Sequence, residues 1–208
     1  MQSANIPLEV QWNDIDYMDK KRDFTFDPEN YHNLPSMIDR LHTQQQKYVA
    51  ILDPAIPINV NDSYAPLVDG LEMNIFIKDG SGKPVEGAVW PGPTYFPDFT
   101  HPNSTIYWTK QIVSLYKSGI EFDGLWIDMN EPSNFVSGTK NNTCPENKYN
   151  QPPWQPTVQN AKLHQQTLCP SFRQHLSNHY NLHNLYGLHE SKATYSALQT
   201  LKVLNKLH

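Results

Sequence analysis

Apolar and polar residues follow two different spacings in the first part of the chain, and these spacings predict its strands and helices. Residues 8–13 alternate apolar and polar side chains, which predicts a strand that ends near Asp14. Apolar residues at helical spacing predict a helix over 33–46. An apolar run within 47–52 then predicts a second, buried strand that stops at Asp53.

An irregular segment, residues 57–104, interrupts this order. It is rich in Pro, Gly, Asn and Asp, and its periodicity is poor. Inside it, 73–78 and 84–90 flank a turn sequence at 79–82 and predict a small β-hairpin inserted after the second strand. Helical spacing returns over 103–118, which predicts the next helix.

A third short strand is predicted over 124–129, where apolar residues follow a glycine. The order strand, helix, strand, excursion, helix, strand is typical of the βαβ units of a parallel sheet. Residues 137–160 predict a long loop, and two helical stretches near 170–180 and 185–204 complete the chain. The sequence contains no internal repeat and no low-complexity tract.

A carboxylate stands where each predicted strand ends: Asp14, Asp53 and Asp128. Each one alone is also explained as a cap of the next element or as a charge in a solvated loop. In a parallel barrel, however, the carboxyl ends of all strands face the same side. We therefore expect these three side chains to converge on one pocket.

Composition and charge narrow the functional classes. The 208 residues, 38% of them hydrophobic, suffice for one core, whereas a complete (β/α)8 barrel typically takes about 250 residues. The net charge of -5, and a longest basic cluster of only Lys20 to Arg22, argue against a nucleic-acid surface. The nine histidines show no metal-ligand spacing, so we expect no metal and no other cofactor. No apolar run predicts a membrane span, and residues 1–20 show no signal peptide.

The two cysteines and three sequons bear on the cellular compartment. Cys144 and Cys169 could pair and close a loop of about 26 residues, worth about 3 kcal/mol, or could be free thiols of a cytosolic protein. Composition leaves both alternatives open. Sequons for N-glycosylation begin at Asn61, Asn103 and Asn141 and predict a lumenal or extracellular protein, although short sequons also arise by chance.

The most specific motif is Trp-Ile-Asp-Met-Asn-Glu-Pro-Ser-Asn-Phe at 126–135. It resembles the catalytic signature of glycoside hydrolase family 31, and most closely its branch of lysosomal and intestinal α-glucosidases. The resemblance implies a partial (β/α)8 TIM barrel, about strands two to four with their helices and an inserted β-hairpin. It also implies that Asp128 is the nucleophile of a retaining α-glucosidase. Glu131 would support that nucleophile, or would simply be an acid favoured in the first turn of a helix.

A sugar pocket is the second implication of the resemblance. The segment 12–19 is similar to the family's second-strand motif, in which the residue matching Asp14 binds hydroxyls of the terminal glucose and the one matching Ile15 packs beside it. A carboxylate suits that task because it accepts two charge-assisted hydrogen bonds from adjacent hydroxyls. The alternative is a solvated acidic loop that pairs with nearby basic residues. The resemblance assigns further substrate contacts to Ile56, Trp90, Trp126 and Met129.

Related α-glucosidases carry a disulfide in the loop that follows the signature. The resemblance therefore favours a Cys144–Cys169 bridge and a lysosomal, extracellular or otherwise lumenal parent enzyme, although no signal peptide is visible.

The match covers about residues 8–193. We expect 1–208 to be a fragment of the catalytic barrel with an insertion at about 57–104, without the amino-terminal β-domain, the later strands and the carboxyl-terminal β-domains. The family's acid/base lies on the later strands, and no residue here matches it. The remainder of the barrel would then be needed for activity, and the isolated fragment would be inactive.

Two hypotheses about function follow. The chain is part of an exo-acting α-1,4-glucosidase that releases glucose from maltose, malto-oligosaccharides or glycogen, or it is a non-catalytic sugar-binding or interaction fragment of such an enzyme.

Overall fold

A three-stranded parallel sheet is the centre of the fold. A computed structural model describes residues 2–60 and 63–204, and its sheet has the order β1–β2–β6. Strand β1 is Val10–Asn13, β2 is Lys47–Leu52 and β6 is Gly124–Ile127. Asn13 lies opposite Ala50, and Leu52 lies opposite Ile127, so all three strands end at the same edge. The three predicted parallel strands are confirmed.

Helices cover one face of this sheet. Helix α1, Leu34–Thr43, buries a stripe of apolar residues and connects β1 to β2. Helix α3, Ser104–Lys117, and helix α5, Tyr186–Leu204, pack against each other. The indole Nε1 of Trp108 on α3 donates a 2.8 Å hydrogen bond to Thr194 Oγ1 on α5. Both side chains are buried, so this contact joins the two helices inside the core.

A second, antiparallel sheet forms within the irregular segment, in the order β3–β5–β4. Strand β3 is Ile56–Pro57, β4 is Glu86–Val89 and β5 is Gly92–Tyr95. The predicted hairpin is present only near its turn, where Lys78 bridges Pro84 and Val85 N donates to Ile77 O at 2.9 Å. Beyond these contacts β4 pairs with β5 across a two-residue turn. The turn needs Gly92, whose φ of 101° is unfavourable for other residues.

One helix in this segment was not predicted. Helix α2, Ala65–Glu72, begins with a proline in its first turn, where proline is well tolerated, and buries Asp69 and Gly70 on its inner side. Its buried positions are small or polar, so its periodicity is weak in the sequence.

The helix predicted near 170–180 is also wrong. Only α4, His179–Leu182, is helical. The residues before it pair with the segment that contains Lys78. The backbone N–H of Arg173 donates to Lys78 O at 2.7 Å, and Lys78 N donates to Arg173 O at 3.0 Å. This pairing with a distant segment replaced the local helical preference.

A disulfide closes the loop that follows β6. Cys144 and Cys169 are bonded, with 5.7 Å between their Cα atoms, which confirms the bridge. Gly138 lies against it, and a Cβ at that position would come within 2.4 Å of Cys144 Sγ. No larger residue fits there without moving the bridge.

The three sequons differ in what the structure describes. The sequon positions Asn103 and Asn141 are exposed, whereas Asn61 lies outside the described residues. Within residues 2–60 and 63–204, no helix is long and apolar enough to cross a membrane.

Candidate active site

The carboxyl-terminal edge of the parallel sheet carries the three predicted acids. Asp14, Asp53 and Asp128 each follow the last residue of a strand, and Asp128 N continues the ladder by donating to Leu52 O at 3.2 Å. Asp14 is exposed, Asp128 is half-buried and Asp53 is buried. Burial and, to a lesser extent, the charges of Asp128, Asp14 and Glu131 together raise the pKa of Asp53 to about 7. The acids are therefore close enough to interact, as expected for one shared pocket.

Asp14 caps a short helix, one of the alternatives that the sequence left open. Its Oδ1 accepts a 2.7 Å hydrogen bond from the backbone of Ile15 and caps a short 3-10 helix, Ile15–Tyr17. A cap uses one carboxylate oxygen in this way and leaves the second for other donors. The Ile15 side chain is half-buried against the core.

The loop of the signature is anchored to the second sheet. Asn134 is fully buried, and its Oδ1 accepts a 2.9 Å hydrogen bond from Ala88 N on β4. Phe135 N donates to Ala88 O at 2.8 Å. Gly87 leaves the space for Asn134, because a Cβ there would lie 2.7 Å from its Oδ1. The inserted sheet therefore holds the segment that follows Asp128.

Four aromatic side chains on β1, β6, the β4–β5 turn and the signature loop form two pairs. Trp12 on β1 and Trp126 on β6 have ring centroids 6.3 Å apart. Trp90 makes an edge-to-face contact with Phe135 at 4.7 Å, and Lys21 Nζ lies 5.6 Å above the Trp90 ring. Trp90 is 50% exposed and Phe135 46% exposed, so this aromatic pair lies at the surface. The sequence assigned no pocket role to Phe135, although it is the last residue of the signature.

The remaining residues predicted to contact the substrate differ in how far they are buried. Trp126 and Met129 are half-buried next to Asp128, and Met129 has a φ of 55°. Ile56 lies in β3 opposite Tyr95 and is buried, with 0% of its surface exposed. Glu131 is exposed at the front of the loop. The roles given to these side chains stay predictions.

Two buried acids behind Asp53 were missed by sequence reasoning. Asp23 Oδ1 accepts a 2.7 Å hydrogen bond from Asp53 N, and Asp23 is 1% exposed. Glu190, on the buried side of α5, is 0% exposed. Burial raises the pKa of both groups well above the ordinary range. The signal for Glu190 was its position in a helical stripe that is otherwise apolar or small: Tyr186, Glu190, Ala193, Ala197 and Leu201.

Comparisons with known proteins agree on one family. The family model described as the glycosyl hydrolases family 31 TIM-barrel domain matches residues 1–206. The chain is 47% identical over 199 residues to lysosomal alpha-glucosidase of Rattus norvegicus, covering 95% of this chain and 21% of that protein. It is 40% identical over 200 residues to intestinal sucrase-isomaltase of Homo sapiens, covering 94% and 11%. The chain thus spans about a fifth or less of the length of these relatives.

Solved structures show the same relation in three dimensions. The chain aligns with the ER glucosidase II heterodimeric complex of a catalytic subunit and the binding domain of a regulatory subunit, with a TM-score of 0.75 and 29% identity. That alignment covers 95% of this chain and 19% of the other. The DNJ-bound glucosidase II alpha subunit gives a TM-score of 0.74 at 29% identity, covering 95% and 18%.

Proposed function

The chain belongs to glycosyl hydrolase family 31, and from that premise we propose that its strand-end acids form the nucleophile side of a retaining, exo-acting α-1,4-glucosidase. Asp128 is the nucleophile, and Asp14 binds hydroxyls of the terminal glucose. The observation that carries this proposal is the position of Asp14, Asp53 and Asp128 directly after three paired parallel strands, where the charges of Asp14 and Asp128 both act on Asp53.

The difference in burial between Asp128 and Asp53 suits this chemistry. A retaining glycosidase needs an ionised nucleophile, because the transition state develops positive charge at the anomeric carbon. Asp53 takes up a proton at a pH where ordinary carboxyl groups have lost theirs, since it is buried beside two other acids. A neutral Asp53 adds no negative charge behind Asp128, the more accessible carboxyl that we assign as the nucleophile.

The proton donor is assigned to the remainder of the enzyme. Retaining enzymes place the second carboxyl about 5 to 5.5 Å from the nucleophile. No position of this chain matches the family's acid/base segment. Its absence typically costs about 10²–10⁴-fold in rate, so the chain by itself is expected not to turn over maltose.

The substrate class follows from the exposed aromatic rings and the relatives. Apolar faces of glucose rings stack on aromatic side chains, and Trp90 and Phe135 form an exposed aromatic pair, Phe135 within the same signature as Asp128. We assign maltose, malto-oligosaccharides or glycogen as substrates of the whole enzyme. The same aromatic rings would equally serve a non-catalytic sugar-binding fragment, which is the second candidate function.

A lumenal location is part of the proposal. The Cys144–Cys169 bridge persists in oxidising compartments such as the secretory pathway and the cell exterior. A lysosomal, extracellular or otherwise lumenal parent enzyme is consistent with this bridge and with the exposed sequon positions Asn103 and Asn141.

The test uses a substrate that needs no acid. In 5-fluoro-α-glucosyl fluoride the leaving group is fluoride, which departs without protonation, and the ring fluorine slows hydrolysis of the glycosyl-enzyme. We expect mass spectrometry of the 208-residue chain to find one fluoroglucosyl group on Asp128.

Asp128→Asn should abolish the label, and Asp39→Asn, on the exposed face of α1, should leave it unchanged. A label on another residue, or no label on the unmodified chain, would refute Asp128 as the nucleophile. Sugar binding without labelling would favour the non-catalytic fragment.

A further inference from the structure

Glu190 occupies a position in which an acid is rare. Glutamate is almost never fully buried unless it is paired. Neither Glu190 oxygen has a hydrogen-bond partner, and no Lys, Arg or His within the described residues forms an ion pair with it. An unpaired buried carboxylate would be very costly, so this group requires an explanation.

The polar side chain that faces Glu190 comes from the signature loop. Asn130, two residues after Asp128, interacts with the Glu190 carboxyl and stabilises its charged form, but it is not aligned as a hydrogen bond. Asn130 also packs on the helix itself. A Cβ on Gly187, which precedes Glu190 by about one turn, would lie 3.1 to 3.3 Å from the Asn130 side-chain atoms. Helix α5 and the nucleophile loop therefore meet at this pair.

The other groups around Glu190 oppose its ionisation. Burial raises its pKa well above the ordinary value of 4.5, and the charges of Asp53 and Asp128 raise it further. The charge of Glu190 in turn raises the pKa of Asp23 and Tyr186. A neutral carboxylic acid satisfies both conditions, because it adds no charge to the cluster and gains an O–H donor. The titratable groups facing Glu190 are thus acids or phenols: Asp23, Asp53, Asp128 and Tyr186.

We propose that Glu190 is a positioning residue of the nucleophile loop: as a neutral carboxylic acid it donates a hydrogen bond to the Asn130 side-chain oxygen and holds the turn that carries Asp128. The inference rests on the proposed role of Asp128, but it makes a structural claim that can be measured without any sugar. Glu190 acts through Asn130 and does not touch the substrate.

Three substitutions separate the features of Glu190. Glu190→Gln keeps the shape and a hydrogen-bond donor but cannot ionise. Glu190→Met keeps the volume and removes the hydrogen bond. Glu72→Gln, at an exposed position of helix α2, is the matched control for a helical glutamate.

The first measurement is infrared difference spectroscopy of the 208-residue chain at neutral pH. We expect a carbonyl stretching band of a protonated carboxylic acid that weakens in Glu190→Gln and is unchanged in Glu72→Gln. A spectrum that Glu190→Gln does not change would overturn the proposal, because Glu190 would then be ionised and paired with some cation.

The second measurement is hydrogen exchange of the backbone amides at 128–131. We expect Glu190→Met to speed exchange about tenfold and Glu190→Gln to restore the slow rate, since one buried hydrogen bond is lost and regained. If Glu190→Met does not fold, Glu190→Gln and its band still decide the protonation state. Equal exchange in a folded Glu190→Met would refute the positioning role.

The third measurement is the rate of Asp128 labelling by 5-fluoro-α-glucosyl fluoride. Glu190→Met should slow it about tenfold relative to Glu190→Gln, because the loop is less well ordered. If the unmodified chain takes no label while the band and the exchange rates behave as expected, the proposed glucosidase function fails and the positioning role of Glu190 stands.

Discussion

The acids at the end of the parallel sheet form two layers that differ in exposure and therefore in chemistry. Asp14 and Asp128 lie in a front layer that solvent can reach, whereas Asp23, Asp53 and Glu190 lie in a back layer that is buried. Desolvation raises the pKa of every member of the back layer. The same kind of side chain thus meets water in the front layer and is desolvated in the back layer, where burial favours its neutral form.

The largest expected effect compares one member of each layer. Asp128→Asn should lower the rate of labelling by 5-fluoro-α-glucosyl fluoride by about 10³-fold or more, because it removes the attacking oxygen. Asp53→Asn should keep labelling within about tenfold, since an amide resembles the neutral acid that we assign to this position. Mass spectrometry of the labelled peptides measures both rates. Similar losses in the two variants would show that the layers are not distinct.

The back layer also predicts how stability depends on pH. The folded-state pKa of Asp53 is about 7 and its ordinary value is 3.8, so the folded chain binds a proton that the unfolded chain has lost between these values. Stability is therefore highest below 3.8 and falls as the pH rises towards 7, by at most about 4 kcal/mol for this group alone.

Urea unfolding at pH 5 and pH 8 measures this slope. Asp53→Asn should flatten it, whereas Asp39→Asn at an exposed position should not. A pH dependence that Asp53→Asn leaves unchanged would contradict a neutral Asp53 in the back layer.

The disulfide loop should affect stability and leave the two layers intact. Replacing both Cys144 and Cys169 by serine removes a loop constraint worth about 3 kcal/mol. Urea unfolding should show this loss, while the infrared band assigned to Glu190 remains. Disappearance of that band in a folded double variant would mean that the loop, and not burial under α5, keeps the acid neutral.

The smallest effect concerns the anchor between the signature loop and the second sheet. Asn134→Ala leaves Ala88 N without its acceptor, which should cost about 2 kcal/mol in the free energy of unfolding. Asn142→Ala, which removes an exposed acceptor from the same loop, is the matched control and should cost less. Equal losses would show that the buried contact of Asn134 does not hold the loop.

Strands and helices with strong periodicity were predictable, and those shaped by distant contacts were not. Strands β1, β2 and β6 and helices α1, α3 and α5 follow from the spacing of apolar residues. The apolar run around Phe76 forms the predicted hairpin only next to its turn, through Val85 N to Ile77 O, and elsewhere it is buried and pairs with 96–98. Residues near Arg173 have helical spacing, yet their backbone pairs with Lys78. In both places contacts between distant segments decided the structure.

The candidate site divides in the same way. Asp14, Asp53 and Asp128 could be found because an acid directly after a buried strand has a known position at the sheet edge. Asp23 lies in a loop with no regular period, and Glu190 lies in a helix whose sequence also allows an exposed acid. Their membership in the back layer depends on segments far apart in the chain.

The family, the succession of the parallel strands and the position of Asp14 and Asp128 at the strand ends could all be predicted from the sequence. They depend on a short motif and on local periodicity, which are properties of neighbouring residues. Only the tertiary structure decided which acids lose their solvent and so hold a proton. Desolvation depends on what packs around a side chain, and around Glu190 those groups come from β2, β6 and the loop after β1. No spacing within one segment records that arrangement.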